Sequence, residues 1–213
     1  MATYSLKEIY ATLQGEGAHT GRAAVFARFA GCNLWSGREE DRASAACWFC
    51  DTDFVGTDGP GGGKFTHAEA LASTLRAAWD ADADGSGTPY VVFTGGEPLL
   101  QLDATLVRAC HRVGLEVGVE TNGTIAAPPG IDWLCVSPKP GSTLVQRSGD
   151  ELKLVFPHEV RPEAVSALAF THFFLQPLDG PQAAANAVEC VAYCRAHPQW
   201  RLSLQTHKLL GIP

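Results

Sequence analysis

Cys32, Cys47 and Cys50 are spaced C-x14-C-x2-C, and the last pair reads Cys47-Trp48-Phe49-Cys50-Asp51-Thr52. Thiolates are soft ligands that select iron–sulfur clusters or zinc, and a closed protein cage normally supplies four. Three thiolates leave one metal position open, which is what a cluster needs if one of its irons is to take part in chemistry.

Four further polar motifs follow β-like runs. Thr94-Gly95-Gly96-Glu97-Pro98 follows residues 90–93, and Glu120-Thr121-Asn122-Gly123 follows residues 115–119. Ser137-Pro138-Lys139 follows residues 133–136, and Gln176-Pro177-Leu178-Asp179-Gly180 follows residues 172–175. In α/β folds ligands bind at the C-terminal edge of the strands, so four polar turns at that edge imply one shared pocket.

The elements that must position these groups alternate between two periodicities. Runs rich in Val, Leu, Ile, Phe and Tyr predict strands at 5–13, 23–29, 90–93, 115–120, 133–136, 151–156, 172–175 and 201–205. Between them lie helical patterns. Thr66 and Glu69 form a capping-box sequence ahead of Leu71, Leu75 and Trp79 on one face. Leu99, Leu102, Leu106, Cys110 and Val113 recur at spacings of three and four. A third helix is predicted over 181–196, with Pro181 in its first turn and His197-Pro198 ending it. This alternation predicts a mostly parallel sheet. The chain has 213 residues and also carries the cluster loop 33–46 and a Gly-rich stretch at 56–64. A closed eight-stranded barrel typically takes about 250 residues, so an open, partial (β/α) barrel in a single domain is expected. The Gly-rich stretch reads as a flexible surface loop.

Hydrophobic residues make up 46% of the chain and charged residues 18%, as in ordinary globular proteins. No apolar run reaches the roughly 18 residues of a membrane span. The segment from Met1 to Glu8 lacks the pattern of a secretory signal, which predicts a cytoplasmic protein. The net charge of −7 argues against sequence-independent nucleic-acid binding, which rests on Lys and Arg neutralising phosphates. Seven cysteines without an export signal suit reduced thiols and metal ligation better than a disulfide framework.

The cysteine trio, with an aromatic residue directly before its last member, and the Gly-Gly-Glu-Pro turn resemble the radical S-adenosylmethionine (SAM) enzymes. Leu13-Gln14-Gly15-Glu16-Gly17, Gln205-Thr206-His207-Lys208 and the turns at 120–123 and 176–179 extend the likeness. Together they closely resemble the 7-carboxy-7-deazaguanine synthases, from about residue 13 to the end of the chain. Most radical SAM enzymes separate the first two cysteines by three residues, whereas Cys32 and Cys47 are separated by fourteen. Each doubling of a flexible loop costs only about 0.6 kcal/mol, so the insertion is tolerable if both ends still reach the cluster.

The resemblance implies a 4Fe–4S cluster on Cys32, Cys47 and Cys50, whose open iron binds SAM. It places SAM against Phe49, Gly95, Gly96, Glu97, Ser137, Lys139 and Gln176. The implied substrate is 6-carboxy-5,6,7,8-tetrahydropterin, converted to 7-carboxy-7-deazaguanine with ring contraction and loss of ammonia, in the pathway to queuosine. Gln14, Gly15, Glu16, Thr94 and the terminal carboxylate of Pro213 would serve the pterin edge. Arg28, whose planar fork suits carboxylates, would bind its acid. Thr52 is the implied magnesium ligand, an oxygen donor for a hard cation; Asp51 beside it is an alternative that could instead cap a turn. A homodimer and an electron donor such as flavodoxin or ferredoxin are implied as well.

Two other readings compete. A glycyl-radical-enzyme activase would act on a protein and need no pterin pocket. A zinc-stabilised binding module would use the trio plus a His. Cys110 and Cys135 read as core residues. Cys190 and Cys194 could share a metal with His197 or form a core face, and His207 could line the pocket or pack elsewhere.

Overall fold

The computed structural model describes residues 3–213. Met1 and Ala2, at the head of the segment read as lacking a secretory signal, lie outside the described residues. Nine strands form one sheet: β1 Tyr4–Leu13, β2 Ala23–Phe29, β3 Gly63–Phe65, β4 Tyr90–Gly95, β5 Glu116–Thr121, β6 Trp133–Val136, β7 Ser148–Phe156, β8 Ala169–Pro177 and β9 Trp200–Leu202. Their order is β3-β1-β2-β4-β5-β6-β7-β8-β9, so the sheet does not close on itself. β1 is antiparallel to both its neighbours, and every pair from β2–β4 to β8–β9 is parallel. The fold is therefore an open (β/α) barrel, as the alternating pattern predicts.

Helices α1 (Ala68–Asp82), α2 (Ala104–Arg112) and α4 (Ala183–Ala196) are the crossovers between parallel strands, and α3 (Pro162–Val165) and α5 (Thr206–Leu210) are short. Leu71, Leu75 and Trp79 of α1 are buried, together with Leu106, Val107 and Cys110 of α2. They join one hydrophobic core with Val91, Val117, Leu152 and Leu154 of the strands. Cys110 and Cys190 belong to this core. Strand β7 is buried on both faces: Leu152 and Leu154 enter the core, while the alternate positions Glu151 and Lys153 are buried polar groups.

Three local expectations are corrected. The Thr66 capping box does not form; His67 is the N-cap of α1 and no side chain caps it. The apolar run from Leu99 to Val113 is not one helix, because a 3-10 turn at Pro98–Leu100 precedes α2. Asp103 restarts the helix by accepting hydrogen bonds from the Thr105 and Leu106 N–H groups, each at 2.9 Å. The Gly-rich stretch is not a free loop either. Ile9 N–H donates to the Pro60 carbonyl at 2.7 Å and Gly59 N–H to the Lys7 carbonyl at 2.9 Å, after which the chain becomes edge strand β3. A Cβ on Gly62 would stand 2.2 Å from the Lys7 carbonyl oxygen, so the glycines let this segment lie directly on β1.

No helix among the described residues is long and apolar enough to cross a membrane.

Asp103 also accepts from the Tyr4 hydroxyl at 3.1 Å, tying α2 to β1. Replacing Asp103 with Ala should lower the unfolding free energy by about 1–2 kcal/mol in a urea titration. Asp103→Asn, which keeps the accepting oxygen, should recover most of the loss; equal losses in the two variants would show that capping is not the cause.

Candidate active site

The strand ends surround a cavity of about 420 Å³. Cys32, Cys47 and Cys50 line it, with Phe49, Thr52 and the Gly95-Gly96 turn. Of the candidates for cluster, SAM, substrate and magnesium only Glu97 is missing from its wall. The other substrate and SAM candidates all border it, and so do Glu120, Asn122 and His207.

The insertion between Cys32 and Cys47 is an ordered arm. Residues Glu39–Ser44 form a 3-10 turn. Arg42 donates to the Trp48 and Cys50 carbonyls at 2.8 and 2.9 Å and lies 4.2 Å from the Trp35 ring centre. Trp35 is buried and meets Phe54 edge to face at 5.6 Å. These contacts bring the Cys47–Cys50 turn back to the cavity beside Cys32.

The three thiols differ in electrostatics. Cys50 is lowered to about 6, first by its hydrogen bond with Cys47 and then by the N–H and hydroxyl of Thr52, against burial. The same pairing and burial push Cys47 up, and burial pushes Cys32 up. Among the described residues no three His, Cys, Asp or Glu side chains converge as ligands of a single ion. A 4Fe–4S cluster takes one thiolate per iron, so its ligands need not meet at a point. Three thiols on one cavity wall fit such a group.

Glu97 has a different place from the one expected. It is fully buried, and its carboxylate accepts from the Thr121 hydroxyl (2.7 Å), the Asn122 N–H (2.8 Å) and the Leu99 N–H (2.9 Å). Its side chain holds neighbouring turns together and does not face the cavity. The glycines before it are required by the protein as well: a Cβ on Gly96 would lie 2.0 Å from the Gly31 carbonyl oxygen, and one on Gly95 2.3 Å from that of Phe29. They allow the ends of β2 and β4 to touch.

Lys139 donates to the Ser137 hydroxyl at 2.6 Å and lies 5.9 Å from the Phe49 ring centre. Arg28 donates through Nε to Glu8 at 2.6 Å and through Nη2 to the Tyr10 hydroxyl at 2.9 Å, and no bond from the described residues engages its Nη1. Thr94 is its register partner on β4. The Pro213 carbonyl accepts from the Thr12 hydroxyl at 2.8 Å. Asp51 pairs with Lys208 of α5, which also pairs with Asp179. Asp51 is thus tied to the C-terminal helix.

Sequence reasoning missed Lys153. Its ammonium, 5% exposed, stands 2.6 Å from Glu16 and 2.8 Å from Glu120. The other Glu16 oxygen accepts from the Gln176 and Gln205 amides, each at 3.0 Å. Glu120 accepts from Gln14 at 2.9 Å, and the Gln14 carbonyl accepts the Glu16 N–H at 3.1 Å. A lysine at an alternating position of an apolar strand, two residues after Glu151, was the available signal. Cys135 also belongs to this polar interior, 3.5 Å from Glu151. Cys190, by contrast, donates to the Phe156 carbonyl, and His197 stacks on Tyr193 at 4.0 Å, so these groups do not share a metal.

Burial alone would raise Glu16, but the Lys153 ammonium and the hydrogen bonds from Lys153 and Gln205 outweigh it and hold the carboxyl at about 2. A carboxyl held below its ordinary 4.5 stabilises the fold above that pH, and the contribution disappears as pH falls toward 2. Glu16→Gln should therefore cost on the order of 3 kcal/mol at neutral pH. Denaturant titrations should find the gap from the parent protein narrowing below pH 4.5. A gap of constant size in acid would contradict this electrostatic origin.

No family model matches the chain. Its sequence is 64% identical over 211 residues to the 7-carboxy-7-deazaguanine synthase of Bordetella pertussis, covering 99% of both chains. It is 63% identical over 211 residues to that of Bradyrhizobium diazoefficiens, again covering 99% of both. Among solved structures, QueE from Escherichia coli superposes with a TM-score of 0.66 at 27% identity, covering 95% of this chain and 94% of that one. Full-length identity at this level, on the same open barrel, establishes that the chain belongs to the 7-carboxy-7-deazaguanine synthase family.

Proposed function

We propose that this chain converts 6-carboxy-5,6,7,8-tetrahydropterin to 7-carboxy-7-deazaguanine, with ring contraction and release of ammonia, as a radical SAM carbon–nitrogen lyase of queuosine biosynthesis. The observation that carries the residue assignments is that the three cysteines, the Gly95-Gly96 turn, Arg28 and the Glu16 carboxylate border a single cavity. Membership of the synthase family sets aside the glycyl-radical activase and the zinc-stabilised module.

When bound, the cluster and SAM supply one-electron chemistry that generates a carbon radical. The chain's own residues hold the participants. Cys32, Cys47 and Cys50 ligate the cluster and leave one iron for SAM. Phe49, Gly95, Gly96, Ser137, Lys139 and Gln176 border the SAM volume, and Glu97 acts behind them by holding the turn that carries the glycines. Lys139 has no carboxylate at ion-pair distance among the described residues, which suits it to an anionic ligand group. Gln14, Gly15, Glu16, Thr94 and Pro213 offer hydrogen-bonding groups to the pterin, and the open side of the Arg28 fork receives its carboxylate. Thr52 can donate to Cys50 and still present a lone pair to Mg²⁺. One domain, working as a homodimer in the cytoplasm with a flavodoxin- or ferredoxin-type donor, completes the reading.

Anaerobically reconstituted protein given SAM, reductant, magnesium and the tetrahydropterin should form 7-carboxy-7-deazaguanine and 5′-deoxyadenosine by mass spectrometry. Cys47→Ala should abolish both products. Arg28→Met should raise KM for the pterin about ten- to a hundredfold, the worth of a charge-assisted hydrogen bond, while leaving SAM cleavage without substrate intact. Formation of 5′-deoxyadenosine without the deazaguanine by the parent protein would sink the substrate assignment.

A further inference from the structure

We propose that Lys153 is a positioning and specificity-determining residue, whose ammonium fixes the Glu16 and Glu120 carboxylates as hydrogen-bond acceptors toward the N–H edge of a flat heterocycle. The proposal rests on the synthase reading above, and Lys153 lies outside the set of contacts which the family resemblance implied.

The geometry is a closed ring. Lys153 donates to one oxygen each of Glu16 and Glu120; Glu120 accepts Gln14 through its other oxygen; the Gln14 carbonyl accepts the Glu16 N–H. With both carboxylates ionised, Glu120 can only accept, so the Gln14 amide must turn its NH₂ toward Glu120 and its carbonyl toward Glu16. One ammonium thereby sets the direction of two substrate-facing side chains. Its own burial is compatible with charge only because two carboxylates flank it.

Charge counting points the same way. Lys153, Glu16 and Glu120 together carry one net negative charge. The other titratable groups around them are Tyr10 of β1, Tyr90 of β4, Glu151 of β7, Cys135 of β6, His207 of α5 and His19 of the turn after β1. Glu151 and Cys135 are acids, neutral or anionic, and bond to each other at 3.5 Å, so neither can replace the lysine as a positive counter-charge. Without Lys153 the two partly buried carboxylates would face each other, and a shared proton would be the inexpensive outcome. A protonated Glu16 becomes a donor as well as an acceptor, and its preference for an N–H edge is lost.

Equilibrium binding of 6-carboxypterin, followed by its fluorescence, tests this on anaerobically reconstituted protein with SAM and magnesium present. Lys153→Met and Lys153→Gln should each weaken binding about tenfold or more at pH 5.5 relative to pH 7.5, one decade in affinity per pH unit being the limit for a single proton. The parent protein and Lys153→Arg should show no such dependence. The neutral variants should also lose the parent's discrimination against a 2-oxo analogue, which presents an acceptor where the pterin has its amino group. The glutamine variant retains hydrogen-bonding capacity in case the methionine variant fails to fold. A folded neutral variant with the parent's pH profile and selectivity would overturn the role of Lys153 alone. Failure of the parent protein to bind the pterin while it still forms 7-carboxy-7-deazaguanine in the product assay would overturn this proposal alone, whereas failure of the product assay would overturn the synthase reading on which it rests.

Discussion

The buried Glu97 carboxylate is the joint on which the cavity wall depends. Burial favours its neutral form, yet every group against it is a donor: the Asn122 and Leu99 N–H groups and the Thr121 hydroxyl. Thr121 accepts the Gly123 N–H, which leaves its proton free for Glu97. The Glu97 N–H in turn donates to the Gly31 carbonyl, next to Cys32. One residue thus locks the ends of three adjacent strands, β2, β4 and β5. The bonds it accepts from two main-chain groups and a hydroxyl compensate the desolvation that an isolated carboxylate would suffer.

A second consequence follows from the same close approach. Gly95 and Gly96 have no room for a side chain because the backbone of Phe29 and Gly31 occupies it. The cavity is therefore shaped by backbone contact between β2 and β4, and Cys32 inherits its position from that contact. Cys47 and Cys50 depend instead on the arm folded around Trp35 and Arg42. Two independent supports converge on one wall, which explains how a fourteen-residue separation of Cys32 and Cys47 is compatible with the cysteine trio.

The cavity also separates charge within an acidic protein. The net charge is −7, yet Arg28, Lys139 and Lys153 all border the cavity. Their partners differ. Lys153 is saturated by two carboxylates, Arg28 has one carboxylate and a phenol, and Lys139 has a neutral hydroxyl. At low local dielectric such differences decide which cation attracts an anionic ligand group and which one only organises its neighbours.

The sequence by itself determined the class of fold, most strand positions and which three thiols line the cavity. Periodicity reports burial, and motifs such as Cys47-Trp48-Phe49-Cys50 and Thr94-Gly95-Gly96-Glu97 are contiguous, so both are legible in one dimension. It did not determine the ninth strand at the sheet edge: β3 forms because Gly59, Gly61 and Gly62 lie on β1, a contact between segments that no local propensity encodes. It also misassigned the start of α1 and the unity of the Leu99–Val113 pattern, since capping depends on where the preceding chain enters. Only the tertiary structure decided that Glu97 faces inward to three donors and that Lys153 stands between Glu16 and Glu120. Those roles arise from side chains 24 to 137 positions apart in the chain, brought together by the parallel order of the strands. The energy of such buried polar groups depends on partners, and partners are a property of the fold.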